Sequence, residues 1–142
     1  MVETSDQWIT ERTGIKNRFL VGPGETCSDL GARAALDACQ KAGVDPADIE
    51  LIVFATTTPD MMLPATACLV QHKIGATRAW GFDLSIACSG FLYALQVGVQ
   101  FILSGCHKNV LVIGMDVMSS IVDYQDRQTC IIFGDGGGAV LL

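Results

Sequence analysis

Short apolar segments that alternate with helix-like segments constrain the fold of this chain most strongly. Leu51–Ala55 and Val110–Gly114 are five-residue runs without a single polar side chain. A strand with one face in solvent would alternate apolar and polar residues, so these runs predict strands that are buried on both faces, as in a parallel sheet. Trp80–Ile86 predicts a third strand of this sheet, and Ala139–Leu142 is a further apolar strand candidate. The pattern therefore predicts an α/β layered fold with a mainly parallel sheet.

The segments between these strands carry helix signals. Three stretches predict helices that end one or two residues before a glycine: 28–42, 64–73 and 89–103. Pro64 is expected at the first helical position of the second one. The first and third should lie on opposite faces of the sheet or pack around it with right-handed crossovers. Ser5 or Thr4 can cap a short helix at the start of the chain. The glycine-rich run Gly134–Gly138 is interpreted as glycines for tight turns and close backbone packing, with phosphate binding as the alternative.

Composition and charge exclude several classes of protein. Half of the residues are hydrophobic and only 17% are charged, which excludes a disordered chain. The net charge is -6 and no Lys/Arg run is present, so a nucleic-acid partner is not expected. No apolar stretch reaches about 18 residues, so no membrane-spanning helix is expected. The six cysteines are scattered without a CxxC pair; this spacing argues against a zinc site, and free thiols indicate a reducing, cytosol-like compartment.

Cys88 lies where a predicted strand passes into a predicted helix. Its small neighbours Ala87, Ser89 and Gly90 permit a sharp turn and the close approach of a substrate. A helix N-terminus carries a partial positive charge and unpaired N–H groups, which stabilise a thiolate and can bind an oxyanion. Cys88 is therefore a candidate nucleophile, and the alternative is a core thiol packed at a tight turn. In both cases we expect it to be buried or nearly so.

A second candidate site combines an indole with guanidinium groups. Trp8 and Arg12 are four residues apart and share a helix face, and Arg127 is grouped with them. An arginine over an indole can hold a flat heteroaromatic ring or pair with phosphate, although surface packing is the alternative. His72 and His107 lie near predicted helix ends and are interpreted as solvated residues rather than catalytic bases.

Four stretches of the sequence, taken together, resemble one enzyme family. They are TSDQWITERTGI (4–15), LIVFATTTPD (51–60), ACSGFLYAL (87–95) and DRQTCIIFGDGGGAVLL (126–142). In order and spacing they resemble the N-terminal half of a β-ketoacyl-acyl-carrier-protein synthase III, the initiating condensing enzyme of fatty acid synthesis. The resemblance implies a thiolase-like layered α/β/α half with a mainly parallel, five-stranded mixed sheet. It also implies that residues 1–142 form one N-terminal half-domain that is incomplete at both ends.

The resemblance implies a role for individual residues. Cys88 would accept acetyl or another short acyl group from acyl-CoA as a thioester. The acyl group would then undergo a Claisen condensation with malonyl-acyl-carrier protein, giving a 3-oxoacyl product and CO2. Trp8 and Arg12 match residues that hold the adenine and nucleotide end of CoA, with Arg127 stacking from the other side and Thr4 as a nearby contact.

The same resemblance leaves other features open. Leu63 lies where a dimer partner in the family lines the acyl pocket, usually with a phenylalanine, so the acyl preference is open. No residue here matches the histidine and asparagine of the family's condensation step, and we expect this chain alone not to complete that step.

The expected partners are acyl-CoA and malonyl-acyl-carrier protein as substrates, with a second copy of the chain in a homodimer. No cofactor is expected. A cytoplasmic location is expected, or the plastid stroma for a plant or algal source. One alternative is another condensing enzyme of the thiolase superfamily, such as a hydroxymethylglutaryl-CoA or polyketide-starter synthase. The other is a non-catalytic α/β chain that acts only by association.

Overall fold

The computed structural model describes residues 2–142, which form four strands and five helices. The strands are β1 (Leu51–Ala55), β2 (Trp80–Leu84), β3 (Val110–Val117) and β4 (Asp135–Leu141). The helices are α1 (Asp6–Thr13), α2 (Cys27–Ala42), α3 (Thr66–Ile74), α4 (Gly90–Leu103) and the short α5 (Arg127–Cys130). Single 3-10 turns cover Pro46–Asp48, Ala87–Ser89 and Met118–Ser120.

All four strands belong to one mixed sheet with the spatial order β2-β1-β3-β4. β1 pairs in parallel with both β2 and β3, so that Val53 lies between Phe82 and Val112, and β4 runs antiparallel to β3. The predicted parallel pairing of the three central strands is confirmed. The predicted number of five strands is wrong for residues 2–142. Cys130–Phe133 is also apolar but forms no strand, because Asp126 accepts a hydrogen bond from the backbone N–H of Gln128 and caps the short helix that ends at Cys130.

Two apolar layers enclose the sheet. On one face, Ile52 and Phe54 of β1 pack in a core with α2 and α3. On the other face, Leu51 and Val53 pack with α4. All five residues of β1 are buried, and each large side chain buried in this way stabilises the fold by about 1.5–3 kcal/mol. The predicted placement of α2 and α4 on opposite faces is thus confirmed.

The start of α3 is determined by a carboxylate from the neighbouring strand. Asp83 in β2 accepts hydrogen bonds from the backbone N–H groups of Thr66 (2.7 Å) and Ala67 (2.8 Å). A carboxylate at this position satisfies N–H groups that have no partner within the helix. The helix therefore begins at Thr66, two residues after the predicted start at Pro64.

The glycine run Gly134–Gly138, predicted to form a turn, lies mostly within β4. Gly137 pairs with Met115 of β3, and a Cβ atom on Gly137 would lie 2.1 Å from the carbonyl oxygen of Gly114. The glycines therefore allow β4 to approach β3 closely, so the predicted close backbone packing is confirmed and the predicted tight turn is wrong.

A polar network joins α2, α3 and the loop after β1. Lys73 donates to Asp29 (2.5 Å) and to the hydroxyl of Ser28 (2.6 Å), and this hydroxyl in turn donates to Asp60 (2.5 Å). Hydrogen bonds from Lys73 and then from Thr26 lower the pKa of Asp29 to about 2. The network holds the N-terminus of α2 against the loop that follows β1.

Of the helices in residues 2–142, none has both the length and the apolar character needed to cross a membrane.

Replacing Gly31 in α2 with alanine should destabilise the protein. A Cβ atom there would lie 2.7 Å from Cε2 of Phe54 and 3.2 Å from Val70. Alanine favours a helix over glycine by up to about 1 kcal/mol, but overpacking a core costs typically about 1–3 kcal/mol. We expect Gly31→Ala to lower the free energy of unfolding by about 1–2 kcal/mol in urea denaturation.

The control for this substitution lies on the same helix. Leu36 in α2 is 45% exposed, so Leu36→Ala should change the free energy of unfolding by no more than about 0.5 kcal/mol. A Gly31→Ala variant that is as stable as the wild type would show that Phe54 does not pack against α2 as described.

Candidate active site

The carboxyl ends of the three parallel strands meet at one edge of the sheet and form a cleft of about 400 Å³. Cys88 lies on the segment that leaves β2, and Asp116 lies near the end of β3. Phe91 of α4 and small residues of the strands, such as Ala55 and Gly138, complete the lining. This edge is where ligands bind in open α/β sheets.

The backbone around Cys88 makes a sharp turn between β2 and α4. Ala87 has a φ of +56°, a left-handed conformation that is strained for a residue with a Cβ atom and costs about 1 kcal/mol or more. Ala87–Ser89 forms a 3-10 turn, and α4 starts directly after it at Gly90, where a Cβ atom would lie 3.2 Å from that of Ala55. The predicted position of Cys88 at the N-terminal end of this helix is confirmed.

Cys88 is exposed, so the prediction that it is buried is wrong. Phe91 takes the inward position instead, since a Cβ atom on Gly114 would lie 3.0 Å from its ring. Cys88 therefore stays on the open side of the cleft, where no residue of 2–142 covers it. An exposed side chain is not a packed core thiol, so that alternative interpretation is also wrong.

The buried cysteines differ from Cys88 in their surroundings. Burial raises the pKa of the Cys27 thiol to about 11, and burial also raises the pKa of Cys39. A raised pKa leaves little of the reactive thiolate at neutral pH. Cys106 is exposed like Cys88, but it follows the C-terminal end of α4, at the far end of that helix from the cleft.

Asp116 fixes the loop that follows β1, and the sequence alone did not reveal this role. Its Oδ1 accepts four hydrogen bonds, from the backbone N–H of Thr57 (2.7 Å) and from the hydroxyls of Thr56 (3.1 Å), Thr57 (3.0 Å) and Thr58 (3.2 Å). The hydroxyl of Thr58 in turn accepts from the backbone N–H of Val117 (2.7 Å). The signals in the sequence were three consecutive threonines after β1 and a lone carboxylate in an apolar strand.

Asp135 plays a comparable part at the start of β4. It accepts hydrogen bonds from the backbone of Val21 (2.8 Å) and from both the backbone (2.7 Å) and the hydroxyl (2.6 Å) of Ser119. Desolvation raises the pKa of Asp135, but these hydrogen bonds outweigh it and the pKa lies below its usual value. Asp135 thus connects β4 to two surface segments and does not line the cleft.

The structure brings together the residues of the second predicted site. The guanidinium carbons of Arg12 and Arg127 lie 4.3 and 4.2 Å from the centroid of the Trp8 ring. Ser5 caps α1 by accepting from the backbone N–H of Trp8 (3.2 Å), and Thr4, Trp8 and Arg127 line a surface cavity of about 380 Å³. Two cations on one indole beside a cavity can bind a ligand that is both flat and anionic.

The other candidate residues lie away from the cleft. Leu63 is 80% exposed in the loop after β1 and does not line the cleft. His72 is exposed near the end of α3. His107 is not solvated as predicted: it is half-buried, accepts a hydrogen bond from Nε1 of Trp80 (3.2 Å) and stacks on Phe101. Among residues 2–142, no three His, Cys, Asp or Glu side chains converge as a metal ligand set.

Comparisons with known proteins point to one family. Residues 82–142 match the family model of 3-oxoacyl-[acyl-carrier-protein (ACP)] synthase III. All 142 residues align with the β-ketoacyl-[acyl-carrier-protein] synthase III of Koribacter versatilis at 60% identity, and with that of Solibacter usitatus at 54% identity. The alignment covers 43% of each of these two proteins, so the chain spans less than half the length of these curated relatives.

Solved structures agree with this result. The crystal structure of 3-oxoacyl-[acyl-carrier-protein] synthase III from Aquifex aeolicus superimposes with a TM-score of 0.94 at 50% identity, over 98% of this chain and 45% of that one. The priming β-ketosynthase of the R1128 polyketide pathway also gives a TM-score of 0.94, at 40% identity, over 98% of this chain and 42% of that one. The predicted thiolase-like α/β fold is thereby confirmed. On sequence and fold together, the chain belongs to the β-ketoacyl-acyl-carrier-protein synthase III family and corresponds to the N-terminal part of its members.

Proposed function

We propose that this chain carries the acyl-accepting nucleophile of a condensing enzyme that initiates fatty acid synthesis. The observation that supports this most is the position of Cys88, exposed on a cleft of about 400 Å³ and directly before the N-terminus of α4. Cys88 takes acetyl or another short acyl group from acyl-CoA, and the acyl-enzyme then condenses with malonyl-acyl-carrier protein. The products are a 3-oxoacyl thioester and CO2.

The first half-reaction follows from the geometry of the cleft. The Cys88 thiolate attacks the thioester carbonyl, a new S–C bond forms, and the bond from that carbon to the CoA sulfur breaks. The proton released from Cys88 ends on the CoA thiol. The backbone N–H of Gly90 already donates to the carbonyl of Ala87, so the N-terminus of α4 stabilises the oxyanion of the intermediate through its partial positive charge.

The cavity beside Trp8 is the proposed site for the nucleotide end of CoA. Adenine is flat and the attached phosphates are anionic, which suits an indole with two guanidinium groups beside it. Thr4 lines the same cavity. Acyl-CoA enters as a substrate, so this proposal requires no cofactor.

The condensation half-reaction needs groups that residues 2–142 do not bring to the cleft. His72 and His107 do not line it. The residues of this chain therefore support acyl transfer, and we propose that the condensation requires the remainder of a complete synthase.

Exposed apolar surface supports a homodimer, which we propose to form through β2, α4 and the loop that contains Leu63. β2 is an edge strand of the sheet in residues 2–142, and Leu92 and Tyr93 on α4 are 65% and 55% exposed. Met62 and Leu63 are 90% and 80% exposed. Large apolar side chains that are exposed in this way are typical of interaction surfaces in soluble proteins. We place the dimer in the cytoplasm, or in the plastid stroma for a plant or algal source.

Acyl transfer to Cys88 is testable by intact-mass spectrometry. After incubation with acetyl-CoA, the wild-type chain should gain one acetyl group, and Cys88→Ser should gain none. The matched control is Cys106→Ser, which removes the other exposed cysteine and should still be acetylated. Acetylation that persists in Cys88→Ser, or a wild-type chain that is never acetylated, would contradict the proposal.

The role of the Trp8 cavity is testable with two acyl donors. Arg127→Ala should raise the concentration of acetyl-CoA needed for half-maximal acylation by roughly two- to thirtyfold, since a cation–π contact contributes about 0.5–2 kcal/mol. The requirement for acetyl-pantetheine, which lacks the nucleotide, should not change. Arg33→Ala is the control, because Arg33 is an exposed cation that pairs with Glu25 (2.6 Å). Equal effects of Arg127→Ala on both donors would exclude a nucleotide site here.

The dimer is testable by sedimentation at micromolar concentration. The wild-type chain should sediment above its monomer mass of 15.1 kDa, and Leu63→Asp should weaken the association because it introduces a charge into an apolar contact. Leu36→Asp, at an exposed position of α2, should not weaken it. A stable monomer of the wild type would argue against the interface.

A further inference from the structure

An aromatic cluster lies at the amino ends of the parallel strands, at the edge of the sheet opposite the cleft. Trp80, the first residue of β2, pairs with Leu51, the first residue of β1. The centroid of its indole lies 5.9 Å from that of the Phe82 ring and 5.8 Å from that of Phe101, near the end of α4. His107, in the segment after α4, stacks on Phe101 with 5.4 Å between ring centroids. The proposed acyl transfer uses none of these side chains.

A hydrogen bond between Trp80 and His107 determines the protonation state of the imidazole. Nε1 of Trp80 donates to Nε2 of His107 over 3.2 Å. An indole nitrogen can only donate, and a neutral imidazole has one donor and one acceptor nitrogen. Nε2 of His107 is therefore unprotonated in this arrangement, and the proton of the neutral ring lies on Nδ1. The backbone N–H of His107 donates to the carbonyl of Phe101 (3.4 Å), which keeps the ring beside α4.

The other ring nitrogen of His107 is near a carboxylate. Nδ1 lies 3.9 Å from Oε2 of Glu50, the residue before β1, and this distance is too long for a hydrogen bond. The backbone N–H of Lys108 donates to Oε2 of Glu50 (2.6 Å), and this bond is the main reason that the pKa of Glu50 lies below its usual value. Glu50 is therefore a fixed negative charge at neutral pH, within reach of a small movement of the imidazole.

The remaining charged groups around this cluster come from two neighbouring segments. Nη2 of Arg78, just before β2, lies 3.7 Å from Oε1 of Glu50, and Nη1 of Arg78 pairs with Asp48 (3.4 Å). The side chain of Lys108 is exposed next to His107 in the chain. α4 contributes no charged side chain, and Asp83 of β2 is bound to the start of α3. Glu50 is thus the carboxylate that faces the imidazole.

We propose that His107 is a pH-sensitive switch: neutral, it holds the indole of Trp80, and protonated, it releases the indole and pairs with Glu50. Protonation of Nε2 places two N–H donors face to face, so the hydrogen bond to Trp80 is lost. It also gives the ring a positive charge, which the carboxylate of Glu50 attracts. Histidine is the side chain whose charge ordinarily changes between about pH 5 and 8, so we expect the release on acidification through that interval. The proton is exchanged with solvent, since the side chain of His107 is 19% exposed.

The side chain that is released belongs to an edge strand. In residues 2–142, β2 has β1 as its neighbour on one side only, and Trp80 is 48% exposed. Loss of the hydrogen bond frees a large aromatic side chain at this edge and leaves a positive charge beside it. If β2 takes part in a homodimer, acid should therefore weaken the association. This last step rests on the proposed function, whereas the switch itself does not.

The indole protons report the switch directly. The chain contains two tryptophans, Trp8 and Trp80, so a proton–nitrogen correlation spectrum shows two indole signals, and Trp8→Phe assigns them. The rate of exchange with water is measured for both protons from about pH 8 to about pH 5. The ratio of the Trp80 rate to the Trp8 rate cancels the effect of pH on exchange itself. We expect this ratio to rise about threefold or more on acidification, because a hydrogen bond protects a proton from exchange. A constant or falling ratio would overturn the proposal.

The variant His107→Gln removes the titrating ring and keeps a side-chain oxygen that can accept from Trp80. It should show no rise in the exchange ratio. The matched control is His72→Gln, which replaces the other histidine of the chain at an exposed position near the end of α3, and it should show the same rise as the wild type. A rise that persists in His107→Gln, or that disappears in His72→Gln, would assign the transition to another group and refute the switch. If His107→Gln does not fold, the wild-type titration and the next variant still test the proposal.

The variant Glu50→Gln tests the second state of the switch. It removes the charge and keeps an oxygen that can accept from the backbone of Lys108. The midpoint of the transition should move to lower pH by about half a unit or more, because an opposite charge about 4 Å away favours the protonated ring. Asp48→Asn is the control, since it removes a carboxylate that pairs with Arg78 rather than with His107, and it should move the midpoint by less. A midpoint that Glu50→Gln leaves unchanged would contradict the pairing with Glu50.

Sedimentation at about pH 8 and about pH 5.5 connects the switch to the dimer. The wild type should associate severalfold more weakly at the lower pH, and His107→Gln should associate equally at both. If the wild type is a monomer at both pH values while the exchange ratio responds as expected, the proposed dimer fails and the switch stands. If it associates equally at both and the ratio is constant, the switch fails and the dimer stands. Equal association with a responding ratio would overturn the link between them.

Discussion

The burial of β1 between two parallel neighbours is the constraint on which the rest of the structure depends. All five of its residues are buried, and it pairs with β2 on one side and β3 on the other. Parallel strands end at the same edge of a sheet, so this pairing brings the turn at Cys88, the threonines after β1 and Asp116 to one place. A shift of one residue in the pairing of β1 would turn Ile52 and Phe54 towards the wrong helices, and the cleft would be lost with the core.

Two carboxylates on the strands fix the positions of neighbouring segments through hydrogen bonds. Asp83 of β2 caps α3, and Asp116 of β3 holds the loop after β1. Both lie in strands that are otherwise apolar, where a polar group without partners would cost about 1–3 kcal/mol. Each has its hydrogen-bond donors, and each therefore makes one arrangement of the neighbouring segment more favourable than the others. The conformation of the cleft thus depends on polar contacts as well as on the apolar core.

Much of the fold could be predicted because apolar runs identify buried strands directly. Leu51–Ala55 is too short for a helix and lacks the polar residues of a half-exposed strand. The position of Cys88 followed from its place between a strand and a helix, but its exposure did not, because exposure depends on how Phe91 packs on Gly114 in three dimensions. The strand at Gly137 was missed because glycine usually marks turns, whereas here the missing side chain allows two strands to approach. Asp116 was missed because no local pattern shows that a carboxylate will meet three threonines about 60 residues away in the chain.

The contact between Arg127 and Trp8 has a kinetic consequence for any flat ligand of that indole. The guanidinium carbon lies 4.2 Å from the ring centroid, whereas a ring inserted between the two groups would need a separation of about 7 Å, twice the usual van der Waals spacing. The ligand must therefore wait for Arg127 to swing away, or displace it. If Arg127 moves away before the ligand binds, the observed association rate levels off at high ligand concentration. The limiting value is the rate constant with which Arg127 leaves the Trp8 ring.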